Sequence, residues 1–200
     1  MRLLTFLLVA LVSAVGGDRV MASQGVILKV QHSPVAWSAS KIGEKLRIQL
    51  TRNQSLRVLE PRDNGGDFPA FPHDPYNLDS LVNWGLEIGG RYLVLVDIHD
   101  ERLEKRKSWH LPLLFHKYET IAVVEGELRH VDLSRGKLML STPFKVEQKG
   151  ARVFQATTYD DVNDPDLHLP APAKIRLFDH LEDKLCLHLV ELISLRSRGR

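Results

Sequence analysis

The stretch RYLVLVDIHD, residues 91–100, opens the part of the sequence that decides the fold. From Tyr92 to Val96 every residue is apolar, whereas Asp97 and His99 bring polar side chains near the end. Side chains alternate between the two faces of a strand, so this pattern predicts a strand that is buried on both faces at its start and half-exposed at its end.

Two further strands are predicted downstream, at residues 118–133 (YETIAVVEGELRHVDL) and 137–148 (KLMLSTPFKVEQ). In the first, small and apolar residues that can face a core alternate with charged residues expected to face water: Ala122, Val124, Gly126 and Leu128 against Glu125, Glu127 and Arg129. Gly136 stands in the intervening turn, where a short hairpin loop needs a positive φ. The three strands are therefore predicted to form a β-meander.

Strand and helix patterns alternate before the meander, and a long helix follows it. The predicted order is a strand at 25–31, a helix at 37–53, a strand at 55–61, a loop at 62–75, a helix at 77–90 and, after the meander, a helix at 173–198. The last helix carries an apolar stripe of Ile175, Phe178, Leu181, Leu185, Leu189, Leu192 and Ile193. Such alternation implies at least one parallel strand pair with helices over the sheet. We predict a single α/β domain at residues 23–200, with a mixed sheet of four or five strands flanked by helices.

The amino terminus has the pattern of a secretory signal peptide at residues 1–22. Arg2 precedes an apolar run from Leu3 to Val15, and Val20 and Ala22 are small residues suited to a cleavage site after Ala22. The run is shorter than the ~20 residues that a membrane-spanning helix needs. No other segment is long and apolar enough to span a bilayer. We therefore expect a periplasmic protein whose mature chain has no transmembrane segment.

Composition favours a globular protein. The formal net charge is +2 and 44% of the residues are hydrophobic, which gives no reason to expect a nucleic-acid partner. The single cysteine, Cys186, cannot form an intramolecular disulfide, and its leucine neighbours indicate a buried, inert thiol.

Nine histidines raise the possibility of a metal site. Members of one set, Asp97, His99, His110, His116 and His130, could converge on zinc or copper. However, neither H-x-x-x-H nor C-x-x-C spacing is present, so surface histidines explain the pattern better. His180 and His188 fit a solvated helix stripe, and the acidic loop Asp160, Asp161, Asp164 and Asp166 lacks the glycine of a calcium loop. We expect no metal and no other cofactor.

No catalytic constellation is evident either. The chain has no G-x-S-x-G nucleophile motif. Glu125 and Glu127 lie two residues apart, which places both on one strand face, and an exposed face is the simpler interpretation. The sequence therefore favours a protein that is not an enzyme.

A basic run followed by apolar residues distinguishes the segment 101–119 (ERLEKRKSWHLPLLFHKYE), which reads as a connection between two strands. Apolar residues there must either pack onto the core or be covered by something else. On the second alternative we predict a protein-binding site comprising Arg106, Lys107, Trp109, Leu111, Leu113, Leu114 and Phe115. The two cations would steer an acidic partner.

The chain also resembles a known superfamily. In it a helix ends in glycine, a tyrosine starts an apolar strand, and a later strand has the form E-x-R-h-V-D-x-x-x-G-K. Matching residues here are Gly89, Tyr92, Leu93 to Ile98, Glu127, Arg129, Val131, Asp132, Gly136 and Lys137. This superfamily contains the TolB amino-terminal domain, the periplasmic domain of the curli secretion channel, lipoprotein activators of penicillin-binding proteins and flagellar assembly proteins. The resemblance covers about residues 36–146.

The resemblance implies an α/β domain that contacts other proteins in the cell envelope without catalysis. We therefore expect an exported accessory or adaptor protein of cell-wall synthesis, a flagellar apparatus or a secretion apparatus, with an envelope protein as its partner. A periplasmic metal-binding protein or hydrolase that uses the histidines and carboxylates is the alternative.

The cleavage pattern leads to a direct prediction. Amino-terminal sequencing of the protein from whole cells should read from Ser23, because signal peptidase recognises the small residues Val20 and Ala22. A chain that retains Met1 would contradict this prediction.

Overall fold

The fold is a five-stranded mixed sheet with helices on both faces. The computed structural model describes residues 25–32, 41–54, 56–60, 67–111, 115–155 and 170–197. In chain order the elements are β1 (Gly25–His32), α1 (Lys41–Gln54), β2 (Arg57–Val58), α2 (Leu78–Glu87), β3 (Tyr92–Leu111), β4 (Phe115–Asp132), β5 (Lys137–Gln155) and α3 (Ala171–Ser197). The strand order is β2-β1-β3-β4-β5, so β2 and β5 are the edge strands. Strand β1 pairs in parallel with β2 and β3, and the β3-β4-β5 meander is antiparallel. The predicted fold class is confirmed.

Strand β3 is buried on both faces near its start, as its sequence predicts. Val94, Val96 and Ile98 pack into a core with α1 and α3. On the other face Leu93 packs with Ile27 and with residues of α2, of β4 and of the β4–β5 turn, among them Leu81, Trp84, Val131 and Leu133. We call these two sides of the sheet the α1/α3 face and the α2 face.

Strands β3 and β5 extend well beyond their predicted bounds, to Leu111 and Gln155. Strand β1 pairs with β3 only as far as Ile98, yet β3 continues to Leu111, which pairs with Phe115 at the start of β4. Strand β5 accompanies β4 as far as His116. Residues 100–111, 115–125 and 145–155 thus form a three-stranded extension, which we call the arm. The segment 101–111 is strand rather than the predicted connection, since cross-strand ion pairs accommodate its alternating charges.

A β-bulge marks the base of the arm. Ile98 pairs with Gly126 and Asp100 with Glu125, so that His99 has no register partner. A Cβ on Gly126 would lie 2.2 Å from the carbonyl oxygen of Asp97 and 2.7 Å from Cζ of Phe144. Only glycine lets the two strands approach this closely, and the bulge therefore depends on Gly126.

The turns have the predicted chemistry. Gly136 has a φ of 59° and ends a short 3-10 helix, Leu133–Arg135, between β4 and β5. Asp132 caps this helix by accepting hydrogen bonds from the Ser134 hydroxyl and the Arg135 backbone N–H. Gly89, at φ 81°, follows α2, and Asn77 caps the amino terminus of that helix by accepting from the Ser80 N–H.

Helix α3 supplies most of the second layer on the α1/α3 face. Five of the predicted stripe residues are buried there: Phe178, Leu181, Leu185, Leu189 and Ile193. The prediction is wrong for Ile175, which is 64% exposed, because Leu177 takes the buried position in that turn. Cys186 is buried as predicted, its thiol donates to the Ile42 carbonyl oxygen, and burial raises its pKa to about 12.

An ion cluster joins α1 to α3. The Lys45 Nζ lies 2.7 Å from Asp179, 2.8 Å from Asp183 and 3.2 Å from Glu182. Glu182 is the buried member, at 1% exposure. Burial raises the pKa of Glu182, and this effect exceeds the opposing attraction of Lys45.

The packing around Gly126 predicts that Gly126→Ala lowers the free energy of unfolding by roughly 1–3 kcal/mol, because the added methyl group must displace backbone. Gly43→Ala in α1 is the matched control. Its Cβ would meet Val30 at 3.7 Å, an ordinary contact, and alanine favours the helix. Urea unfolding of both variants measures the difference. Equal stabilities would contradict the close approach at the bulge.

The raised pKa of Glu182 predicts that the free energy of unfolding depends on pH. Its pKa is raised in the folded state, so folding takes up a proton at pH values above the ordinary pKa of glutamate. This contribution is fully present below that ordinary value and is lost as pH rises through the raised pKa. Relative to Glu182→Gln, the natural protein should therefore be more stable at pH 4 than at pH 7, as measured by urea unfolding at both values. The reverse trend would show that Lys45 outweighs burial.

Candidate protein-contact surface

Every second residue of β4 lies on the α2 face, from Glu119 in the arm to Val131 beneath α2. Near Val131 this face is covered by α2 and by the preceding turn at Asp74–Asn77. Beyond Arg129 this face carries charged side chains that are partly exposed: Arg102 is 35% and Lys145 48% exposed. Within the part of the chain that the structure describes, no helix covers this region.

Ion pairs cover the arm on this face. The Arg102 guanidinium contacts Asp100, lies 2.8 Å from Glu104 and lies 2.9 Å from Glu125. Arg106 lies 2.8 Å from both Glu104 and Glu147, on different strands. Beneath these long side chains Ile121 and Val123 are fully buried. The aliphatic stems of arginine and lysine can shield apolar residues while their charged ends stay in water.

Three glutamates of this ion-pair layer, Glu104, Glu125 and Glu147, have lowered pKa values. Hydrogen bonds from Arg102 and Lys145 lower the pKa of Glu125 to about 2. The Arg106 guanidinium likewise holds the pKa of Glu104 and of Glu147 below the usual range. Permanently ionised carboxylates suit ion pairing rather than proton donation in catalysis.

The residues predicted to bind a partner lie at or near the tip of the arm. Register pairs Lys107 with Tyr118, Trp109 with Lys117 and Leu111 with Phe115, at the outer end of the arm. Leu113 and Leu114 fall outside the described residues. Arg106 forms ion pairs with Glu104 and Glu147. Protein binding by this segment stays a prediction.

Arg129 was expected to face water, and that prediction is wrong. It lies on the α2 face at the margin of α2, where only 5% of the residue is exposed. Its Nη1 donates to the Pro75 carbonyl oxygen, and its guanidinium carbon lies 4.2 Å from the centre of the Tyr76 ring. Arg129 lies two residues from the apolar Val131 and therefore on the same face of β4. This spacing is the sequence signal that indicates a covered position for Arg129.

The histidines and acids considered for metal binding divide between the two faces. The Nε2 of His99 lies 3.4 Å from Asp97 on the α2 face. His130 lies on the opposite face, packed edge-on against Tyr92, and burial lowers its pKa. His110 and His116 are register partners in the arm. Among the described residues no group of three or more histidine, cysteine or acidic side chains could hold a metal ion.

Two other groups of residues were considered for metal binding, the histidines of α3 and the acidic loop that precedes it. His180 and His188 lie on α3, the first of them exposed. The loop with Asp160, Asp161, Asp164 and Asp166 falls outside the described residues. None of the described helices is both long and apolar enough to cross a membrane.

Comparisons with known proteins give similarity of fold alone. No protein-family model matches the chain, and no curated protein matches it in sequence. The hypothetical protein CT253 from Chlamydia trachomatis has a TM-score of 0.54 and 12% identity, over 90% of this chain and 100% of that chain. At this identity the likeness shows a shared fold.

Weaker structural likenesses include a lipoprotein. A minor lipoprotein from Acinetobacter baumannii scores 0.45 at 10% identity, over 88% of this chain and 95% of that chain. The LpoB C-terminal domain from Escherichia coli scores 0.37 at 15% identity, over 66% of this chain and 89% of that chain. Scores this low support no argument about function. No sequence match assigns the chain to the superfamily that its motifs resemble.

Proposed function

We propose that this chain is an exported accessory or adaptor protein of the cell envelope, which acts in the periplasm through contacts with another protein and without catalysis. The observation that carries the proposal is the arm. The arm extends the sheet beyond the end of β1 and beyond the part of the α2 face that helix α2 covers. At the usual rise per strand residue its length is roughly 40 Å. A projecting sheet face with its own ion-pair layer is suited to meeting a partner.

The composition of the arm supports a contact role. The predicted binding segment, with Trp109, Leu111 and Phe115, pairs at the tip of the arm, beyond the ion-pair layer of Arg102 and Arg106. Aromatic anchors beside a polar rim are the usual composition of protein interfaces. Export rests on the signal-peptide pattern at residues 1–22.

The tip residues provide the test of this function. Trp109→Ala combined with Phe115→Ala should weaken capture of the partner from envelope extract by at least about tenfold, because each anchor of an interface contributes ~2 kcal/mol or more. The melting temperature should change little if these residues serve binding rather than the core. Quantitative capture on immobilised protein and thermal unfolding measure the two effects.

Ile175→Ala combined with Leu187→Ala is the matched control, since both residues are exposed apolar side chains on α3. It removes apolar surface away from the arm and should leave capture unchanged. The proposal fails if both double variants capture equally well. It fails also if the tip variant loses several kcal/mol of stability, as truncation of a buried aromatic would cause.

A further inference from the structure

Strand β1 is paired very differently on its two sides. Towards β3 its pairing runs from Val26 to His32. Towards β2 it comprises only Gly25 and Val26, with one further hydrogen bond from the Leu59 N–H to the Val26 carbonyl oxygen. No other strand of the described ranges lies beside β1, so its edge is open from Leu28 onward.

The backbone groups that face this edge follow from the alternation of the strand. The Gly25 carbonyl oxygen accepts from the Arg91 N–H, towards β3, whereas the Val26 carbonyl oxygen faces β2. Successive strand residues direct their N–H and C=O groups to opposite sides, so Leu28 and Val30 direct theirs to the open edge. Among the described residues none bonds to these two N–H and two C=O groups.

The sequence explains why β2 stops short of this edge. In continued parallel register, the residue after Glu60 would donate its N–H to the Leu28 carbonyl oxygen. That residue is Pro61, which has no N–H. The sequence that follows, 62–66 (RDNGG), consists largely of turn-forming residues. Hydrogen bonding between β2 and β1 therefore does not continue to Leu28.

The apolar side chains at the edge are only partly buried. Leu28 and Val30 lie on the α1/α3 face and pack against its core. Their register partners on β3, Val94 and Val96, are 1% and 0% exposed. A neighbouring strand covers the flank of a residue on the same face, and the edge lacks that strand. Apolar residues opposite Leu28 and Val30 would complete this part of the core.

Lys29 lies between these two residues and on the α2 face. Its Nζ is 5.2 Å from the centre of the Phe71 ring, and no carboxylate of the described ranges forms an ion pair with it. Opposite charges directly across paired strands stabilise the pairing. The edge thus suits an acidic residue opposite Lys29.

We propose that an extended segment of the partner protein adds to the open edge of β1 as a sixth strand, with apolar residues opposite Leu28 and Val30 and an acidic residue opposite Lys29. Main-chain hydrogen bonds hold such a segment, and its alternating side chains give specificity. This inference rests on the proposed contact function and specifies the form of the partner. The contact is additional to the one at the tip of the arm.

Amide hydrogen exchange of the purified mature chain tests the edge itself. The N–H groups of Lys29 and Gln31 face β3 and should exchange slowly. Those of Leu28 and Val30 should exchange at least about tenfold faster, because they face the edge. Equal protection of both sets in the free chain would show that the edge is already covered, and would overturn the proposal. Protection that rises with protein concentration would identify a second copy as the occupant, and would overturn it too.

The probe for the added strand is an acetylated, amidated pentapeptide, threonine-valine-glutamate-valine-threonine. Its binding should saturate and should slow exchange at Leu28 and Val30 by at least about tenfold. Two forms with two N-methyl groups each are compared, one methylated at both valines and one at the glutamate and the last threonine. Only alternate N–H groups of an added strand face the protein, so one form should bind at least about tenfold more weakly than the other.

A charge reversal tests how the segment is placed. Lys29→Glu should weaken binding of the glutamate peptide by at least about threefold, because a favourable cross-strand pair becomes a repulsive one. A peptide with lysine in place of glutamate should bind this variant more tightly than it binds the natural chain. Lys137→Glu, at the exposed start of β5, is the matched control for net charge and should leave both affinities within about twofold.

Equal effects of the two charge reversals would show that only net charge matters, and the proposed placement would be wrong. Equal binding of the two methylated peptides, or no saturable binding of the parent peptide, would overturn strand addition. These results are separable from the test of the proposed function. The peptide experiments use the purified chain alone, whereas the tip variants leave β1 intact and report on capture of the natural partner.

Discussion

The structure depends on the burial of β3 between two layers. Leu93 contributes to the core beneath α2, and Val94, Val96 and Ile98 contribute to the core beneath α1 and α3. The same strand pairs with β1 on one side and β4 on the other, so both the parallel and the antiparallel parts of the sheet are positioned by it. A polar residue early in β3 would leave a buried group without water on either face. The sequence of β3 changes from apolar residues to Asp97 and His99 at the point where the apolar cluster beneath α2 ends.

Past that point a different interaction keeps the sheet ordered. Strand β1 no longer accompanies β3, and none of the helices that the structure describes covers the α2 face there. Arg102 and Arg106 connect all three strands of the arm through carboxylates on β3, β4 and β5. Single exposed ion pairs contribute little, but arginines that share several acids form a network and shield Ile121 and Val123 from water. The arm is thus stabilised by charge on one face and by α3 on the other.

Local patterns in the sequence were enough to predict much of this architecture. Alternating valines gave the two faces of β3, Gly136 gave the turn with positive φ, and the leucines of α3 gave its buried stripe. The length of the arm was not predictable in this way, because Glu101 to Arg106 resemble a solvated loop until their cross-strand partners are known. Arg129 was misplaced for a related reason: its burial requires Tyr76 and Pro75, which are distant in sequence. The register that places Asp97 opposite Glu127 cannot be predicted from either strand alone.

Pro143 also limits how the sheet can grow. It lies in β5, which is an edge of the sheet, and proline has no backbone N–H to offer a neighbouring strand. Along the same strand Lys137, Lys145 and Lys149 would each have to lose water if another chain were added there. An edge of this kind resists strand addition and therefore the uncontrolled polymerisation that long antiparallel sheets otherwise invite. The long meander is in this way protected at β5 from pairing with a strand of another chain.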